Sequence, residues 1–251
     1  MKTLSVFLIA TAAALTLCGQ HTHAQQSTAK AAAPKPAASA APVFNRALLH
    51  PALLKAKAPD VFKVRFTTTK GDFVLEVHRD WSPLGADRFY NLVKNGYYNN
   101  AHFFRVVSGF VAQFGLSPVP AVNAAWEHTD FPDDPVKQTN TKGTVTFASR
   151  GPNTRTTQLF INLGENTRLD GMGFSPFGKV VDGMEVVNKF YTGYGEAPDQ
   201  GQITAVGRPY LDKNFPLLDR IRVARIDVAA PVHAAAPRTA APRSASAPTK
   251  K

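Results

Sequence analysis

Phe103-Phe104-Arg105-Val106-Val107-Ser108-Gly109-Phe110-Val111-Ala112-Gln113-Phe114-Gly115 is the stretch on which the reading of this chain turns. It sets one cation and one amide among large apolar side chains. Arg105 and Gln113 are eight residues apart, an even separation, so an extended ladder points both the same way. Gly109 permits a break or bulge between two short strands. A polar pair in an apolar wall suits a site that grips an apolar group and hydrogen-bonds a polar one beside it.

Two further segments extend the pattern. Gly143-Thr144-Val145-Thr146-Phe147-Ala148-Ser149 leads into Gly151-Pro152-Asn153-Thr154 and then Thr157-Gln158-Leu159-Phe160-Ile161. Leu169-Asp170-Gly171 is followed by Phe177-Gly178-Lys179-Val180-Val181-Asp182-Gly183-Met184. The first stretch resembles the F-H-R-x-x-x-x-F-x-x-Q-x-G signature of cyclophilin-type peptidyl-prolyl isomerases. The second is similar to that family's G-x-x-x-x-A-x-x-G-P-N-T-x-x-S-Q-F-F-I block, and the third to its L-D-x…F-G-K-V-x-x-G-M. All three stand in family order, and the resemblance covers about residues 60 to 229.

The resemblance implies a mainly β fold, a closed antiparallel eight-stranded barrel with two capping α-helices. It implies an enzyme that rotates X–Pro peptide bonds and acts on proline-containing peptides and unfolded proteins. It assigns Arg105 to the prolyl nitrogen and adjacent carbonyl, and Gln113 to the substrate backbone and to orienting Arg105. Phe110, Val111, Phe160 and Leu169 carry over as the proline pocket, and Ala148 and Ser149 as the stretch that binds peptide backbone. The family commonly has Met at Val111 and Asn at Ser149. Three further departures stand out. Phe104 replaces the usual His. Arg168 occupies the place of a Trp that contacts cyclosporin in the eukaryotic family. One extra residue before Phe177 puts the family's pocket His at Gly173 or Phe174, with Phe174 favoured.

Local patterns agree with a domain of many short strands. Val61 to Thr69 and Phe73 to His78 read as a hairpin, the second strand alternating Phe73, Leu75 and Val77 with Val74, Glu76 and His78. Ser82-Pro83 opens a helix, Ser as N-cap and Pro at the first helical position, with Ala86, Phe89, Leu92 and Val93 as its apolar face. A second helix is expected from Asp182, with Glu185 as capping-box partner. Further strands are expected near 102–107, 110–114, 144–148, 159–163, 177–181 and 221–228. Asp130, Asp133 and Asp134 read as a solvated acidic loop.

The ends of the chain have another composition. Lys2, an uncharged and mainly apolar run from Leu4 to Leu17, and Thr22-His23-Ala24 match a secretory signal, placing residues 1–24 outside the mature fold. The apolar run is too short for the roughly 20 residues of a membrane span. Export to the periplasm follows as the expectation, with a lipoprotein anchored through Cys18 as the alternative. Residues 25–42 and 230–251 are Ala/Pro-rich and read as disordered arms. Residues 43–57 are too apolar for a linker and are expected to pack on the surface of a 58–229 domain.

The formal net charge is +11, and no acidic residue precedes Asp60 or follows Asp227. Residues before 58 and after 229 carry ten of these eleven charges, so a nucleic-acid-binding face on the domain is not supported. The arms read as solvated linkers, or as weak contacts to an anionic envelope surface. The seven His residues show no metal-ligand spacing with Cys or carboxylates, so no metal and no cofactor are expected. A monomer is expected. The competing reading of function is a proline-segment binding module or chaperone tethered in the cell envelope by its basic arms.

Overall fold

The computed structural model describes residues 44–227. The expectations for the signal segment, Cys18, the 25–42 linker and the 230–251 tail lie outside these described residues. Eight strands form one antiparallel sheet: β1 (Val61–Thr68), β2 (Asp72–His78), β3 (Arg105–Val107), β4 (Val111–Phe114), β5 (Thr144–Phe147), β6 (Leu159–Asn162), β7 (Pro176–Asp182) and β8 (Ile221–Asp227). Their order across the sheet is β3-β4-β6-β5-β7-β2-β1-β8. The alternation in β1 buries Phe62, Val64 and Phe66 and exposes Val61 and Lys63, as a strand with one face on a core requires. Phe66 and Phe73 then stack across the β1–β2 pair with ring centroids 4.7 Å apart.

The expected closure of the barrel is incomplete: the sheet curls into a half-barrel. Edge strands β3 and β8 do not pair as strands. They meet only at a bridge between His102 and Arg220, flanked by Phe103 N donating to Asp219 O (2.9 Å) and Ile221 N to Ala101 O (2.8 Å). The reason is competition for the edge. β3 has three residues, and its Val106 N–H is taken by the carbonyl of Gly195 at 3.3 Å. A segment from the far side of the sequence thus covers the edge that closure would need, which also protects it from pairing with other chains.

The helices depart further from expectation. Helix α1 (Pro83–Lys94) buries Ala86, Phe89, Leu92 and Val93 as its pattern predicts. Ser82, however, does not cap it. The carboxylate of Asp134 accepts from Leu84 N (3.1 Å) and Gly85 N (2.9 Å), and the Ser82 hydroxyl donates to the same carboxylate. Asp134 also faces Arg155 at 3.2 Å, both side chains being buried. The acidic loop is therefore partly a structural anchor, because an anion at the helix N-terminus satisfies donors that a local cap leaves free. Asp133 similarly holds the Gly151–Thr154 turn, exchanging hydrogen bonds with Asn153 at 2.7 and 2.9 Å.

The second expected helix shrinks to one turn, α3 (Met184–Val187). Asp182 remains in β7, paired with Val74, and Glu185 makes no capping bond. Three helices were not foreseen: α2 (Pro120–Trp126), α4 (Gln200–Val206) and α5 (Arg208–Asn214). The 44–57 segment forms 3₁₀ turns at Arg46–Leu49 and Pro51–Leu53. It buries Leu48, whose carbonyl accepts from Trp126 Nε1 at 2.9 Å.

Candidate active site

Strands β3 and β4 form a hairpin through a turn closed by Phe110 N donating to Val107 O (3.0 Å), with Gly109 at φ 72°. That left-handed conformation is the one a side chain would disfavour. The register sets Arg105 opposite Gln113, and Gln113 opposite Phe160 on β6. Cation, amide and aromatic thus stand in one row across three strands. Val106, Ala112, Phe114, Leu159 and Ile161, the residues between, face the main core instead. Gly115 ends the hairpin where a Cβ would fall 2.7 Å from the Gln158 Cα, so only glycine lets β4 approach the 157–158 backbone.

On the outward face, Val111, Phe160 and Leu169 make a small apolar cluster, with Phe110, Ala148 and Phe174 packed against it. These six, together with Arg105, Gln113 and Ser149, line a pocket of about 150 Å³. Every site residue expected from the sequence is therefore at one pocket. Phe174 stands edge-on to Phe160 with ring centroids 5.7 Å apart, giving that wall an apolar surface. Arg105 Nη1 donates to Gln113 Oε1 at 3.2 Å, and Gln113 Nε2 donates to Gln158 Oε1 at 2.9 Å. A larger groove of about 940 Å³ adjoins the pocket through Gln113, Ala148 and Ser149, and α2 and α4 supply its far walls. Tyr97 lines it; burial pushes its phenol well up, so the group stays neutral and donates to Thr157 Oγ1 at 3.0 Å.

Behind the pocket lies a buried amide network. Asn140 donates to Asp170 Oδ1 (2.7 Å) and to Phe174 O (2.8 Å), and accepts from Thr146 and Asn162. Asn166 donates to Asn162 Oδ1 and to Phe110 O, each at 2.8 Å. The backbones that carry Phe110 and Phe174 are thereby tied to one polar knot. Such networks rigidify a site when every member is satisfied. At the rim, the exposed Arg168 stacks over Phe110 at 4.9 Å and Arg105 over the same ring at 5.3 Å. Phe104, where a His is usual, is buried with Leu116, Ile203, Leu211 and Leu218 beneath α4 and α5. Among the described residues, no three His, Cys, Asp or Glu gather as a metal site would require.

A family model described as cyclophilin type peptidyl-prolyl cis-trans isomerase/CLD matches residues 63–207. The chain belongs to the cyclophilin-type peptidyl-prolyl cis–trans isomerases. Cyclophilin relatives include the Escherichia coli peptidyl-prolyl cis-trans isomerase B, 35% identical over 141 residues, covering 50% of this chain and 82% of the relative. The human peptidyl-prolyl cis-trans isomerase-like 3 is 34% identical over 130 residues, covering 50% of this chain and 80% of the relative. A Rhizopus delemar peptidyl-prolyl cis-trans isomerase is 32% identical over 165 residues, but this chain spans only 23% of its length. A Cryptosporidium parvum cyclophilin solved in the presence of the dipeptide Ala-Pro shares the fold, with TM-score 0.51 and 23% identity over 65% of this chain and 98% of that one.

Sequence reasoning missed two parts of this cyclophilin site. One is the Asn140–Asn162–Asn166 network, whose members fall outside the motif positions used for recognition. The other is Glu196, whose carboxylate accepts from Arg105 Nε at 2.6 Å and also from Nη2. No local pattern near Glu196 signals that partner, because it is 91 residues from Arg105.

Proposed function

We propose that this chain catalyses rotation about X–Pro bonds in proline-containing polypeptides and assists the folding of exported proteins. One observation carries the reading: a proline-sized apolar pocket with a guanidinium fixed at its edge. The uncatalysed barrier, ~18–20 kcal/mol, is lost amide resonance. In the twisted transition state the prolyl nitrogen's lone pair localises and accepts a hydrogen bond, which it does not accept in the planar ground state. A donor aimed at it therefore stabilises the transition state selectively. Arg105 is a permanently charged donor, and the pocket of Phe110, Val111, Phe160, Leu169 and Phe174 holds the ring while the preceding carbonyl turns. No covalent step is needed.

The Ala-Pro dipeptide of the Cryptosporidium parvum structure supports proline as the group bound. Gln113, Ala148 and Ser149, shared between pocket and groove, can receive the substrate backbone on its way between them. Export rests on the signal-like start of the sequence. A protease-coupled peptide isomerisation assay tests the activity, and cell fractionation tests the location. An uncatalysed rate in the presence of folded protein would overturn the enzymatic reading; material confined to the cytoplasm would overturn the exported role.

A further inference from the structure

Arg105 is gripped from two edges. Gln113 takes Nη1, while a single oxygen of Glu196 takes both Nε and Nη2. The segment that delivers Glu196 is itself anchored beside Arg105. Gly195 O accepts from Val106 N, the next residue along β3, and Gly195 N and Ala197 N close turns onto Thr192 O (3.0 Å) and Tyr194 O (2.9 Å). Tyr194 packs against Tyr191 and Phe215 with centroids 4.9 and 5.1 Å apart. Asp199 then caps α4 by accepting from Gln202 N at 2.7 Å. Phe104 belongs to the apolar cluster under α4 and α5. The residue before Arg105 and the residue after it thus both hold the polypeptide that brings the carboxylate.

The pair is too exposed to matter much for stability: the side chains of Arg105 and Glu196 are 26% and 64% exposed, and surface ion pairs contribute little. Its consequence is geometric. An Arg side chain has large rotamer freedom, and one 3.2 Å bond to Gln113 leaves the guanidinium free to swing about it. Two more bonds at the Nε edge fix its plane. Of the five N–H donors of a guanidinium, one on Nη1 and one on Nη2 remain for substrate. Donors assist a transition state only if they are aimed before it forms.

We infer that Glu196 is a positioning residue for Arg105, fixing the guanidinium so that its remaining N–H groups face the twisting prolyl bond. The inference rests on the isomerase reading. Its test uses the full chain and measures kcat and KM for wild type, E196A, E196Q, R105A and the R105A/E196A pair. E196A lowers kcat about 10-fold, within the ~10²-fold that a 1 Å misplacement can cost, and changes KM less than about 2-fold. E196Q, whose carbonyl oxygen accepts the same bonds, stays within about 3-fold of wild type. Added to R105A, E196A has no further effect, as coupled residues require. Wild-type kcat in E196A, a raised kcat, E196Q as slow as E196A, or an equal loss in the R105A background would each overturn the role. A direct readout stands beside activity: the Arg105 Nε–H exchanges with solvent more slowly than that of exposed Arg168 in the wild type, and as fast in E196A. Equal exchange of the two in the wild type would also overturn it. A folded wild type without isomerase activity removes the underlying reading, and this one with it.

Discussion

Arg105 does its proposed work through N–H groups alone, so its removal separates chemistry from folding. Arg105→Ala should lower turnover on the order of 10²–10³-fold, as loss of one preorganised donor does, with an unchanged melting curve because the side chain is partly exposed. Wild-type turnover in that variant would exclude the donor mechanism. Arg168 makes a different case. It stacks on Phe110 at the rim, where the family resemblance places an indole that contacts cyclosporin. A hydrated cation there must be desolvated by an apolar cyclic peptide. Cyclosporin should therefore inhibit weakly, and Arg168→Trp should tighten inhibition more than it alters kcat; inhibition constants for the two proteins check this. The nine pocket residues were legible in the sequence because three motifs stand in register and the even spacing of Arg105 and Gln113 fixed their common face. Glu196 and Asn140 were not, since a hydrogen bond between residues far apart in sequence leaves no periodicity behind.

At the level of elements, the seam between β3 and β8 is where pH should act. His102 lies there almost fully buried, with its Nδ1 unpartnered. Burial holds its imidazole down at about 4, Asp212 and Arg208 of α5 and Arg220 beside β8 being the charges that face it. The folded state therefore keeps His102 neutral, while the unfolded chain binds a proton near pH 6.5. The contribution of His102 to stability should be complete above about pH 6.5, fall by at most ~1.4 kcal/mol per pH unit below it, and level off below about pH 4. Urea midpoints across pH 4–7.5 should show this slope in the wild type and lose most of it in His102→Gln. All eight strands and α1 were anticipated, β2 from its alternation and α1 from Ser82-Pro83 and its apolar face. The actual cap of α1, Asp134, comes from 52 residues beyond Ser82. α4 and α5 are only two turns each, too short to leave a firm helical pattern.

Across the whole molecule, the 44–57 segment ties itself to both α1 and α2. Asn91 exchanges hydrogen bonds with Ala56 (2.7 and 3.0 Å), and Leu48 sits buried beside Trp126. None of its residues lines the 150 Å³ pocket. A chain beginning at residue 58 should thus melt several degrees lower, losing roughly the 2–5 kcal/mol of a buried Leu, yet keep kcat within about 3-fold while folded. Calorimetry beside the isomerisation assay checks both halves. The two-sided use of β4 and β6 has a further consequence, for how such a chain can change over generations. Pocket and core alternate residue by residue along the same strands. A point change at Val111 or Phe160 can retune the pocket and leave the core's face untouched. A single-codon insertion inside Val111–Phe114 cannot, because it turns every later side chain of the strand to the opposite face. Inside β4, change by substitution alone keeps pocket and core each on its own face.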